Sequence, residues 1–140
     1  FIDFINFWLR FIFMDNIKKK KILVVEDDVM ISSMYKIKFE VDDFTVVIAN
    51  NGAEGLELAK KENPDIIMLD VILPQIDGFS VLEELKKDKQ TKDIPVVMLT
   101  NLGTEEDKAK GKKFGVIDYL VKASLTPKQI SIKIKQYLKI

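Results

Sequence analysis

Five short apolar-rich runs constrain this chain more than any other feature: KILVV (21–25), FTVVIA (44–49), DIIML (65–69), PVVML (95–99) and DYLV (118–121). Each is rich in β-branched or large aliphatic residues and bounded by polar or turn-forming ones, the pattern of a short strand. Runs without polar/apolar alternation predict strands buried on both faces. Between them lie segments with helical periodicity, and strands alternating with helices predict a parallel sheet.

Right-handed crossovers leave few ways to connect such a sheet. The expected fold is α/β: five parallel strands in the order 2-1-3-4-5, helices on both faces, a flavodoxin-like (βα)5 arrangement with its site in the crevice between strands 1 and 3. Residues 29–41 place Ile31, Met34, Ile37 or Lys38, and Val41 on one helical face, expected to be inward. In 51–63, Ala53, Leu56 and Ala59 are the expected inward line, and Asn63-Pro64 stops the helix. The segment 79–87 should bury Phe79, Leu82 and Leu85, and a Lys/Glu-rich helix should occupy about 104–113. Thr126-Pro127 is an N-cap and first-turn pair for a last helix burying Ile130, Ile134, Tyr137 and Leu138.

The 13 residues FIDFINFWLRFIF differ from the rest. Asp3, Asn6 and Arg10 recur at helical spacing and leave a narrow polar stripe on an apolar cylinder. The segment is shorter than the ~20 apolar residues a membrane span needs. Two readings stand. Met14 would be a natural start shortly before the first strand, making residues 1–13 upstream sequence, and this is the preferred reading. The alternative is a helix that docks on a membrane surface or a partner. The expected division is an extension over 1–18 and one domain over 19–140, with no output domain.

Composition removes several chemistries. Lys+Arg and Asp+Glu both total 22, so net charge gives no reason to expect nucleic-acid binding. No cysteine means no disulfide or thiolate nucleophile; no histidine means no His-based triad or His-ligated metal. Carboxylates, hydroxyls, amines and hard cations held by oxygen remain.

Polar residues stand where four of the strands end: Glu26-Asp27-Asp28, Asp70, Thr100 and Lys122. In a parallel sheet all strand C-termini share one edge, so these groups should meet. Clustered carboxylates repel unless a cation relieves them, and Mg²⁺ takes oxygen ligands, usually one or two carboxylates. An Asp oxygen can attack phosphorus, with metal, ammonium and hydroxyl offsetting charge on the transferred group. Asp70 is thus a candidate phosphoacceptor. Taken singly the residues have plainer explanations: Asp28 and Asp77 as helix caps, Thr100 and Lys122 as ordinary strand ends, and the lysines of 107–113 as a solvated face.

The acid pair after strand 1, DVILP (70–74) followed by Asp77-Gly78, the Thr closing strand 4 and YLVK (119–122) together resemble the response-regulator receiver domains of two-component signalling, over about residues 19–140. The resemblance implies a stand-alone, cytoplasmic phosphoacceptor switch rather than a metabolic enzyme. Asp70 would accept a phosphoryl group from a partner histidine kinase or phosphotransfer protein. Glu26, Asp27, Asp70 and the Ile72 carbonyl would hold Mg²⁺, Thr100 would bond a phosphoryl oxygen, and Lys122 would pair with the phosphate. Tyr119 would swing inward with Thr100, changing the surface of the fourth helix, fifth strand and fifth helix. A downstream protein would read that surface, the active form being a monomer or a phosphorylation-dependent homodimer, with no direct nucleic-acid binding.

Two positions depart from the family pattern. Asn101 stands where a small residue is usual, and Ala123 stands where a cis-proline usually follows the lysine. A cis bond before a non-proline residue costs ~2.5–4 kcal/mol, so either that strain is borne or the loop runs differently. Asn101, with the apolar Ile72 and Leu102, suggests a long-lived phosphoryl group. The alternative function is a pseudo-receiver, a binding module that does not use phosphorylation. A nucleotide- or flavin-binding domain is rejected, because EDDVM (26–30) after strand 1 repels phosphate where a glycine-rich cradle would be needed.

Overall fold

The computed structural model describes residues 2–15 and 18–140. Phe1, Asn16 and Ile17, part of the expected extension, lie outside the described residues. Strands β1 (Lys21–Val25), β2 (Thr45–Ala49), β3 (Ile66–Leu69), β4 (Val96–Thr100) and β5 (Asp118–Val121) form one parallel sheet in the order β2-β1-β3-β4-β5. This is the expected topology. β1 pairs with β2 on one side and β3 on the other, with Val25 opposite both Ala49 and Leu69.

The period of two along each strand divides the core. Leu23, Val25, Ile67, Leu69, Val96 and Met98 pack on one face beneath α3 (Gly52–Glu62) and α4 (Gly78–Lys87). Ile22, Val24, Ile66, Met68, Val97 and Leu99 pack on the other beneath α2 (Val29–Val41) and α6 (Pro127–Leu138). With both faces covered, the central strands carry uninterrupted apolar runs over 22–25, 66–69 and 96–99. Thr126 and Gln129 close a reciprocal capping box at the start of α6, whose Ile130 and Ile134 are fully buried.

Two helix faces differ from expectation. In α2 the buried residues are Ser32, Tyr35 and Phe39, while Met34, Ile37 and Val41 face solvent. Aromatic area decides this: Tyr35 stacks on Phe39 with ring centres 5.9 Å apart, and Phe39 meets Phe44 edge-on at 6.2 Å. The more aliphatic stripe is left outside. In α3 the inward line is Gly52, Gly55 and Ala59, with Ala53 exposed and Leu56 half-buried. A Cβ on Gly55 would stand 3.0 Å from a methyl of Val25, so glycine sets how closely this helix approaches β1.

α5 (Glu105–Lys113) is held more lightly. Gly111 is its only buried residue, and Lys110 lies over the Phe79 ring of α4 at 4.5 Å. That lysine has a neighbour beyond solvent, unlike the plain solvated face expected. The remaining helix, α1 (Ile2–Asp15), precedes the sheet.

Candidate functional site

β1 and β3 are adjacent, and each is followed at once by a carboxylate. Glu26 donates its backbone N–H to the carbonyl of Ala49 at 3.0 Å, and Asp70 donates its own to the carbonyl of Val25 at 3.1 Å. Those main-chain bonds fix both residues at the same rim. Both are nearly inaccessible, 4% exposed for Glu26 and 5% for Asp70. Asp27 lies beside them and is exposed. Asp28 is a helix cap, its carboxylate accepting from Met30 and Ile31 N–H at 2.9 and 3.1 Å.

The loop after β3 is shaped by a second cap and a glycine. Asp77 accepts from the N–H groups of Phe79 and Ser80 and starts α4. Gly78 donates to the Val71 carbonyl at 2.8 Å, and a Cβ there would stand 2.1 Å from the Asp70 carbonyl oxygen. Only glycine lets α4 begin against the main chain of Asp70.

From the far end of the sheet, Lys122 follows β5 and crosses to this pocket. Its ammonium donates to Asp70 Oδ2 at 2.7 Å and to Glu26 Oε2. The other oxygens are held by main chain: Asp70 Oδ1 accepts Ile72 N–H at 3.2 Å, and Glu26 Oε1 accepts Asp28 N–H at 3.1 Å. Glu26, Asp27 and Asp70 each offer an oxygen within 4.8 Å of the others. That all-oxygen donor set fits a hard divalent cation.

Burial pushes the Glu26 carboxyl above its ordinary range; the Lys122 ammonium and the Asp28 N–H oppose this, while the charge of Asp70 adds to it. For Lys122 burial disfavours the charged form, but hydrogen bonds to Asp70 and Glu26 outweigh it, and its pKa is raised. Tyr35, which the sequence reading did not single out, feels the same pocket. Its hydroxyl is raised first by burial, with smaller opposing effects from Lys122 and from the two carboxylates. It was missed because α2 was read with another face inward.

Thr100 ends β4, next to β3, and is fully buried. Its hydroxyl accepts the Leu102 N–H at 3.3 Å, so it is turned toward its own loop. Tyr119 is half-buried, its ring close to Gly111, and its hydroxyl donates to the Leu102 carbonyl at 2.5 Å. Burial and the charges of Asp107 and Asp70 raise its pKa to about 12, so it remains a donor at neutral pH.

The two unusual positions meet. Asn101 Oδ1 accepts the Ala123 N–H at 3.1 Å, joining the loop after Thr100 to the loop after Lys122. The described residues contain no cis peptide bond, so the Lys122–Ala123 bond is trans and the loop runs differently from a cis-proline loop.

Lys122→Met tests the ion pairing. Removing one partner of a buried pair leaves the others uncompensated, and a loss of about 3 kcal/mol is expected at neutral pH in urea unfolding. Glu26, raised further without the ammonium, gives a contribution that is present at low pH and lost as pH rises through its raised folded value. The deficit of the variant should therefore shrink on acidification, and Mg²⁺ should restore stability at neutral pH. A pH-independent deficit would count against the pairing.

The response regulator receiver domain family profile matches residues 22–135. Among curated proteins, the DNA-binding dual master transcriptional regulator RpaA of Synechocystis is 45% identical over 102 residues, covering 73% of this chain and 42% of that protein. The probable transcriptional regulator ycf27 of Cyanophora paradoxa is 38% identical over 123 residues, 88% of this chain and 50% of that protein. The chain thus spans about half the length of these relatives or less. Of solved structures, the receiver domain of the Francisella response regulator 1452 superposes with a TM-score of 0.79 at 35% identity, covering 86% of this chain and 98% of that one. A response regulator from Chloroflexus aurantiacus gives 0.80 at 31% identity, covering 88% of this chain and all (100%) of that one. With its sheet order, acidic rim and crossing lysine, this chain belongs to the response regulator receiver domain family.

Proposed function

We propose that the domain is a phosphoacceptor switch in which Asp70 takes a phosphoryl group from the phosphohistidine of a partner kinase or phosphotransfer protein. The observation that carries this is the convergence of Glu26, Asp27, Asp70 and Lys122 on one pocket from residues up to 96 positions apart. An Asp70 oxygen forms a bond to phosphorus as the donor's phosphorus–nitrogen bond breaks, the electron pair staying on the imidazole. Lys122 turns from the carboxylates to the phosphoryl oxygens, and Thr100 donates its hydroxyl to one of them. Mg²⁺ held by Glu26, Asp27, Asp70 and the Ile72 carbonyl would supply further positive charge against the transferring group.

The output follows from the bonds Thr100 must give up. Its hydroxyl leaves Leu102, the Leu102–Tyr119 contact loosens, and the surface of α5, β5 and α6 changes. The phosphoryl group biases two states by its better contacts with one of them. A downstream protein or a second copy reads that surface, in the cytoplasm and without direct nucleic-acid contact by this domain. The donor protein has its own landing site. Met30, Met34, Ile37 and Val41 form an exposed aliphatic stripe on α2, beginning two residues past the Asp28 cap and so at the mouth of the pocket.

Incubation with Mg²⁺ and acetyl phosphate, followed by intact mass measurement, should give one phosphoryl adduct that Asp70→Asn abolishes. Mg²⁺ binding without an adduct from any donor would instead favour a pseudo-receiver. Ile72, 58% exposed, and the half-buried Leu102 offer no polar side chain to orient water, so the adduct should persist. Asn101→Ala with Leu102→Arg should shorten its lifetime on the order of tenfold; an unchanged decay would refute this. Ile37→Asp should slow transfer from a phosphorylated partner roughly tenfold or more, about the cost of removing one buried aliphatic contact. The rate with acetyl phosphate should not move.

A further inference from the structure

We propose that α1 and the lysine run behind it dock this chain on an anionic lipid surface. The argument rests on how the apolar area is distributed. Phe4, Ile5, Phe7, Trp8, Leu9 and Phe11 are each between 42% and 63% exposed, and they point around most of the helix circumference. A protein groove or a partner helix covers one stripe of a helix. Apolar area on nearly every azimuth, broken only by the line of Asp3, Asn6 and Arg10, calls for a solvent that wraps the cylinder and leaves one edge wet. An acyl-chain boundary does so.

No described helix is long and apolar enough to cross a membrane. Fourteen residues give a rod of about 21 Å, against roughly 30 Å of hydrocarbon. The helix fits lying in the interface with its polar line toward water.

Charge selects the lipid. Lys18, Lys19 and Lys20 follow the helix and are all exposed, whereas Lys21 is taken up by Glu62 at 3.0 Å. Three exposed cations following an apolar helix in sequence complement acidic headgroups, and the same cations would repel those of a second copy stacked in register. The inference uses none of the residues of the Asp70 pocket and does not depend on the phosphoacceptor reading.

Trp8 is the only tryptophan of the chain, so its emission reports on α1 alone. The full chain should co-sediment with vesicles of phosphatidylcholine and phosphatidylglycerol, with a blue shift of Trp8, and much less with phosphatidylcholine alone. Substituting Lys18→Gln, Lys19→Gln and Lys20→Gln together should lower partitioning onto the anionic vesicles by roughly a hundredfold. Phe4→Ser with Phe11→Ser should abolish the Trp8 shift on both, and the circular dichroism of the sheet domain should show that each variant is folded. Equal partitioning onto neutral and anionic vesicles, or no partitioning, would overturn the proposal. So would an emission already blue-shifted without vesicles and dependent on protein concentration, since α1 would then be covered by another copy.

Discussion

Two carboxylates at adjacent strand ends, both almost sealed from water, are tolerable only with a cation between them. The structure supplies it from within. Lys122 bridges Glu26 and Asp70, and main-chain N–H groups hold the oxygens it leaves. The arrangement is stable but convertible, because an ammonium on a four-carbon stem is a point charge that can pivot. A divalent cation entering among Glu26, Asp27 and Asp70 would take over part of the neutralisation and release the lysine. In the proposed reaction, the charge holding the pocket together at rest would then be available to a phosphoryl group. A guanidinium, locked into planar two-point contact with the acids, would be slower to let go.

The β4–α5 loop would carry the consequences of that reaction outward. Three consecutive residues are each tied by one hydrogen bond: the Thr100 hydroxyl by the Leu102 N–H, the Asn101 amide by Ala123, and the Leu102 carbonyl by the Tyr119 hydroxyl. Thr100 cannot turn toward Asp70 without losing the first, and Leu102 links the first to the third. Beyond the loop stands α5, whose only buried residue is Gly111, against the Tyr119 ring. Among α2 to α6 this helix is the least anchored in the core, and weak anchoring keeps the free-energy gap between two packings small.

What the sequence made legible divides along physical lines. Strand order and the rim cluster followed from patterns that have few alternatives: uninterrupted aliphatic runs, right-handed crossovers and polar residues at strand ends. The caps Asp28, Asp77 and Thr126 were also readable, because a cap is a local interaction. Helix facing was legible for α4, where Phe79, Leu82 and Leu85 are buried, and for Ile130 and Ile134 of α6, but not for α2 or most of α3. α3 turns Gly52 and Gly55 inward, and glycine carries no hydrophobic signal, only a closeness that shows once the sheet is in place. α2 offers two apolar stripes, and the aromatic one wins through the stacking of Tyr35 on Phe39 and a contact of Phe39 with Phe44, which lies beyond the helix and outside its periodicity. The aliphatic stripe left outside has the residues of a core face and the exposure of an interface, a combination that invites a partner.

Asn101 and Ala123 looked like independent oddities, one bulky and one missing a ring. They are the two ends of a single hydrogen bond. A proline at 123 would have no N–H to donate, and a small apolar residue at 101 could not accept one, so each substitution makes sense only with the other. A ring constrains the loop permanently; an exposed neutral hydrogen bond, worth roughly 0.5–1.5 kcal/mol, constrains it while intact. The loop presenting Lys122 is therefore fastened to the loop presenting Thr100 by a link comparable to thermal energy. When Thr100 moves, the tether either carries the Lys122 loop with it or breaks at small cost. While intact, the tether joins the loop after Thr100 to the loop after Lys122, which a ring closed on one loop alone could not do.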